Sequence, residues 1–132
     1  KTRSMISLAM WDNIFNKDVL VAGCCVLSNL VVFSKPGDIL LTPDVITIIH
    51  KIMASHEYDA EVQLAASDLI LAVSADERAS RLIVQMGGIQ DMVTAMRHSR
   101  HHATLNAVCC MALWSLAVDS ENLKVACREN AV

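Results

Sequence analysis

The stretch "RHSRHH", Arg97 to His102, sets two arginines and three histidines side by side. His98, His101 and His102 offer imidazole nitrogens to a metal, and Arg97 and Arg100 offer guanidinium groups to an anion. A closed tetrahedral site needs a fourth ligand, and no cysteine or carboxylate lies nearby in the sequence to supply it. The plainer reading is a solvated polar loop. Imidazoles that titrate near neutrality leave a pH-sensitive contact open. No metal and no cofactor are expected.

Cysteine is the next reactive type. Cys24, Cys25, Cys109, Cys110 and Cys127 form two adjacent pairs and a single residue, with no C-x-x-C spacing. An odd number in this arrangement reads as reduced, intracellular and mostly buried, hence a cytoplasmic protein. A nucleophilic cysteine would want a neighbouring base and partial exposure. The sequence supplies neither. The glycine pair in "MGGIQDM", 86 to 92, lacks the G-x-G-x-x-G or G-K-[ST] context that cradles phosphate, so it reads as a turn. There is no G-x-S-x-G elbow and no H-E-x-x-H. Together these point away from an enzyme.

The elements that carry these residues follow from composition and period. The chain has 132 residues, 54% hydrophobic and only 4% aromatic, which suits packed helices better than a sandwich or barrel. A net charge of −3 argues against a nucleic-acid binder, whose footprint is a basic face. The longest apolar run, "VLVAGCCVLSNLVVF" at 19 to 33, is broken by Ser28 and Asn29 and falls short of the ~20 residues of a membrane span, so no membrane insertion is expected. No cleavage pattern follows the basic start, and the chain lacks an initiator methionine, as an excerpt of a longer protein would.

A spacing of 43 residues recurs without gaps. Ile89 falls on Ile46, Met96 on Met53, Leu105 on Val62 and Val19, Ala112 on Leu69 and Val26, and Leu116 on Val73 and Leu30. Each unit reads as a short helix, a turn, a second helix, a polar loop and a longer third helix; in the clearest copy these are 78 to 85, 89 to 98 and 103 to 118. Asp76 is a plausible N-cap, Thr42-Pro43 pairs a capping hydroxyl with a proline at the first helical position, and Gly87-Gly88 ends the short helix. The copies divide into a repeat tail at 1–33, full repeats at 34–76 and 77–119, and the start of another at 120–132. Leu105, Val108, Cys109, Ala112, Leu113 and Leu116, with Val62, Ala65, Ala66, Leu69, Ile70 and Val73, form the expected buried face.

A period in the low forties with three helices falls in the armadillo and HEAT range. The stretch "LIVQMGGIQDMVTAM", "VLSNL" at 26 to 30 and its counterpart Ala112-Leu113-Trp114-Ser115-Leu116 resemble the armadillo consensus over essentially the whole chain. That resemblance implies an all-α fold, a right-handed α-solenoid of armadillo-type three-helix repeats, in which the third helices line a concave groove that holds extended peptides. The family's groove tryptophan and asparagine match Cys25 and Asn29, Asp68 and Ala72, and Met111 and Ser115. Only Asn29 keeps the family residue, so the ladder that reads basic signal peptides is largely replaced.

The expected function is therefore a non-enzymatic interaction module binding a protein or peptide partner through Asn29, Asp68, Trp114 and Ser115, with Met111 and Cys25 as further candidates. Asp68 and Glu61 suit a basic group, and Trp114 beside Met111 suits an apolar anchor. Each has a plainer reading: Trp114 and Met111 as packing between repeats, Asp68 as surface, Asn29 as satisfied by backbone. A structural spacer that self-associates through uncapped ends, or packs in a large assembly, is the alternative. A regulatory segment of a longer enzyme is a third.

Overall fold

The computed structural model describes residues 5–33 and 43–118, together with Lys124 and Arg128, both helical. The expected short helix near 34–42, the Thr42 cap, Cys127 and the further copy at 120–132 lie wholly or largely outside the described residues.

Seven α-helices run in order: α1 (Met5–Asp12), α2 (Lys17–Phe33), α3 (Pro43–Ser55), α4 (Ala60–Val73), α5 (Glu77–Gln85), α6 (Gly88–His98) and α7 (Ala103–Ala117). No strand occurs among the described residues, and the fold is all-α. The longest helices begin at Lys17, Ala60 and Ala103, separated by the 43 residues of the sequence period. Each is opened by the residue before it. Asn16 Oδ1 accepts the Val19 amide at 3.3 Å, Asp59 Oδ1 the Val62 amide at 3.3 Å, and His102 Nδ1 the Leu105 amide at 3.0 Å. An acceptor at this position satisfies one of the four amides that a helix start leaves without an intrahelical partner.

Propensity alone would not make α3. Its run Val45-Ile46-Thr47-Ile48-Ile49 is β-branched throughout, which costs side-chain freedom in a helix. Burial offsets that cost: Val45, Ile46, Ile48, Ile49, Ile52 and Met53 are all buried, at spacings that make one face. By contrast α5 opens with Asp76, which accepts the Ala79 amide at 3.0 Å, and carries an exposed Glu77–Arg81 pair at 2.7 Å. Between α5 and α6 stands Gly87 at φ +89°, the left-handed region that a side chain disfavours. Gly88 next to it is required by space, since a Cβ there would sit 2.8 Å from the Ile83 carbonyl oxygen.

The helices make two layers. In one, α4 packs between α2 and α7; in the other, α3 packs between α1 and α6, while α5 lies against α3 and α6. The centre of the first layer is tight: Ala66, Ser67 and Leu69 of α4 are fully buried, as are Cys24, Cys109 and Ala112 on the helices beside it. Small side chains bring the helix axes close together. Of the polar groups caught in the packing, the Ser7 and Ser28 hydroxyls have no hydrogen-bond partner among the described residues, whereas Gln63 is paired twice. Buried Gln63 donates from Nε2 to the Met53 carbonyl (3.0 Å) and the His56 carbonyl (2.7 Å), fixing the turn from α3 to α4.

Candidate functional site

Four hydrogen bonds join residues 41 or 42 positions apart and so tie one copy of the period to the next. His56 Nε2 donates to the Ile14 carbonyl at 2.7 Å, His50 Nδ1 meets Asp91 Oδ2 at 2.6 Å, Ser67 Oγ lies 3.4 Å from Cys109 Sγ, and the Ser74 and Ser115 hydroxyls bond at 2.7 Å. The last two define which side of α4 faces α7. The solvent side of the α2–α4–α7 layer is what they leave over.

The candidate residues fall on that layer as follows. Cys25 and Asn29 are exposed on α2, and Asp68 is exposed on α4 with Ala72 half-buried one turn on. On α7, Met111 is 46% and Trp114 77% exposed, while Ser115 is half-buried. Because α4 lies between its neighbours, the helices order these positions into two rows, Cys25–Asp68–Met111 and Asn29–Ala72–Ser115. With axes 8–10 Å apart, three helices span roughly 16–20 Å, the reach of about five or six residues of extended chain.

The rows differ in what they have left to offer. Among the described residues, no hydrogen bond or ion pair engages the Asp68 carboxylate or the Asn29 amide. Partial burial pushes the Asp68 carboxyl above its ordinary range. Ser115 is different, since its hydroxyl is already held by Ser74 in the seam between α4 and α7. Trp114 stands apart from both rows, toward the side of α7 that no described helix covers. Glu61, paired in the sequence reading with Asp68, is instead tied to Lys17 Nζ at 2.9 Å, which also meets Asp59 at 3.3 Å.

The histidine loop divides its labour. His102 caps α7, and the His98 ring packs against Tyr58 with centroids 4.4 Å apart, while His101 is exposed. Among the described residues no group of three histidine, cysteine or acidic side chains could hold a metal. The cap was readable in principle: His102 stands 43 residues after Asp59, itself 43 after Asn16. The His50–Asp91 pair was not, because its 41-residue separation is out of step with the period.

The cysteines correct one expectation. Cys24 and Cys109 are buried, but Cys25 and Cys110 are exposed, so the described cysteines are not mostly buried. Cys110 has the register of Cys24, and among the described elements only Cys24 has a following helix, α4, packed against its own. Burial, with Cys25 adding to it, pushes the Cys24 thiol up to about 12, and burial raises Cys109 as well. Both disfavour a thiolate. No helix among the described residues is long and apolar enough to cross a membrane. Comparison with known protein families, with curated proteins and with solved structures found no match for this chain.

Proposed function

We propose that the chain is a non-enzymatic interaction module, a right-handed armadillo-type solenoid in the cytoplasm, that binds an extended segment of a partner protein across α2, α4 and α7. The observation that carries this reading is the row Cys25–Asp68–Met111 together with Asn29: side chains exposed at one register on three adjacent helices, with the Asp68 carboxylate and the Asn29 amide unengaged. Such a row supplies a polar group for peptide backbone, a carboxylate for a lysine or arginine, and an apolar contact at Met111. Nucleic acid is not the expected partner, given the net charge of −3.

The alternative is a structural spacer that packs end to end. Exposed Phe33 (87%) and Val118 (80%) at opposite edges of the layer favour it as a second use of the molecule. The two separate in an affinity capture that compares the chain with an Asp68→Arg, Met111→Glu variant of unchanged helical circular dichroism. A partner lost from the variant supports the peptide-binding face. A partner retained at equal yield contradicts it.

A further inference from the structure

Tyr58 is the only tyrosine of the chain and stands in the connection from α3 to α4, one residue before the Asp59 cap. It is 78% exposed. Helices α1 and α2 precede this connection and α6 and α7 follow it, so the exposure arises within the stack. The preceding copy holds Phe15 at the same register, 43 residues earlier. Each ring leans on a histidine of the next copy: Phe15 on His56 with centroids 6.5 Å apart, and Tyr58 on His98 at 4.4 Å. A ring without a hydroxyl therefore serves the packing at this place. Among the described residues no hydrogen bond engages the Tyr58 hydroxyl, which is the group that packing leaves over.

Charge is divided around this ring. Its own segment carries Glu57, Asp59 and Glu61, of which Asp59 and Glu61 are tied to Lys17 and Glu57 is exposed. Either side of His98 stand Arg97 and Arg100, both exposed. Among the described residues no hydrogen bond or ion pair engages either guanidinium. Such groups suit the oxygens of a phosphate, which they bind in pairs. Carboxylates flanking an acceptor give the kind of charge pattern by which kinases choose substrates. Access needs no unfolding, because Gln63 holds the inner side of the turn through the Met53 and His56 carbonyls while Glu57 and Tyr58 face solvent.

We infer that Tyr58 is phosphorylated by a protein tyrosine kinase, and that the phosphate is then held by Arg97 and Arg100 of the following copy. In the transfer the phenol oxygen bonds to the γ-phosphorus of ATP as the bond from that phosphorus to the β-phosphate oxygen breaks. ADP leaves, and the phenol proton passes to the aspartate base of the kinase. The product carries roughly two negative charges at neutral pH. Paired with the two guanidinium groups, it fastens the α3–α4 connection to the α6–α7 loop, beside the His50–Asp91 tie between the same two copies.

Two measurements on the 132-residue chain test this. In the first, the chain and a peptide spanning Ile52 to Leu64 are each incubated with magnesium, ATP and a panel of recombinant tyrosine kinases, and intact mass is read. The folded chain is expected to gain one phosphoryl group and Tyr58→Phe none. A folded chain that no kinase modifies overturns the inference; a modified peptide beside it would place the fault in access, an unmodified one in the charge pattern. In the second, phosphotyrosine is installed at position 58 during translation and its second ionisation is followed by phosphorus NMR. Neighbouring guanidinium groups favour the dianion, so its pKa is expected to lie below that of the same chain carrying Arg97→Gln and Arg100→Gln. Equal values overturn the role of the arginines. Should the double variant lose helical circular dichroism, Arg100→Gln alone replaces it. Asp68 and Met111 are untouched throughout, which keeps this result separate from that of the peptide-binding face.

Discussion

Asn16, Asp59 and His102 hold the same place before three successive helices, and each accepts the amide three residues on. Histidine is the odd member, because asparagine, aspartate and serine are the preferred caps and a carboxylate also suits the positive end of the helix dipole. His102→Asp is therefore expected to raise stability by up to about 1 kcal/mol, seen as a higher midpoint in urea unfolding. An unchanged or lower midpoint would count against the cap. At Asp91, burial raises the carboxyl above its ordinary 3.8 and the His50 hydrogen bond pulls it part of the way back. The folded chain thus binds this proton more tightly than the unfolded one. The associated stability is full below 3.8 and is lost as pH rises through the higher folded value. Comparing thermal midpoints between about pH 3 and 5.5, the wild type should lose ground to Asp91→Asn as pH rises. A constant difference would contradict the assignment. Of the caps observed, the residue pattern pointed only to Asp76, whereas the 43-residue register would have led to Asn16, Asp59 and His102 as well.

Helix boundaries were legible where local chemistry and period agree. The expected 89 to 98 and 103 to 118 became Gly88–His98 and Ala103–Ala117, bounded by a left-handed glycine and a histidine cap. Gly87→Ala would force a Cβ into the left-handed region and is expected to cost about 1 kcal/mol without altering the helical content. Equal stability of the two proteins in urea would mean that the turn relaxes to another geometry. Which cysteines are covered was less legible. Cys24 and Cys110 have the same register, and among the described elements it is α4 packed against the first that distinguishes them.

At the scale of the molecule, α4 is the helix of its layer packed on both flanks, and its eight buried residues outnumber the four of α2 and the five of α7. Local opening follows contact density, so α4 amides should exchange most slowly and those of α1 fastest. Hydrogen exchange read by mass spectrometry checks that order, and equal protection of α1 and α4 would contradict it. The buried columns of this layer could be read from the 43-residue period. The candidate face could be read only by subtraction, and Ser115 shows the limit of that approach. Its register placed it on the face, but the Ser74 hydroxyl at the end of α4 claims it.

The proposed binding face lies across α2, α4 and α7 and not on the α3–α6 layer. A photo-crosslinking residue placed in turn at Asp68 and Met111 on the first layer, and at exposed Lys51 and Gln90 on the second, tests it in cell extract. Partner adducts from positions 68 and 111, with none from 51 and 90, are the expected result. Adducts from 51 and 90 alone, or in equal yield from all four, would contradict it.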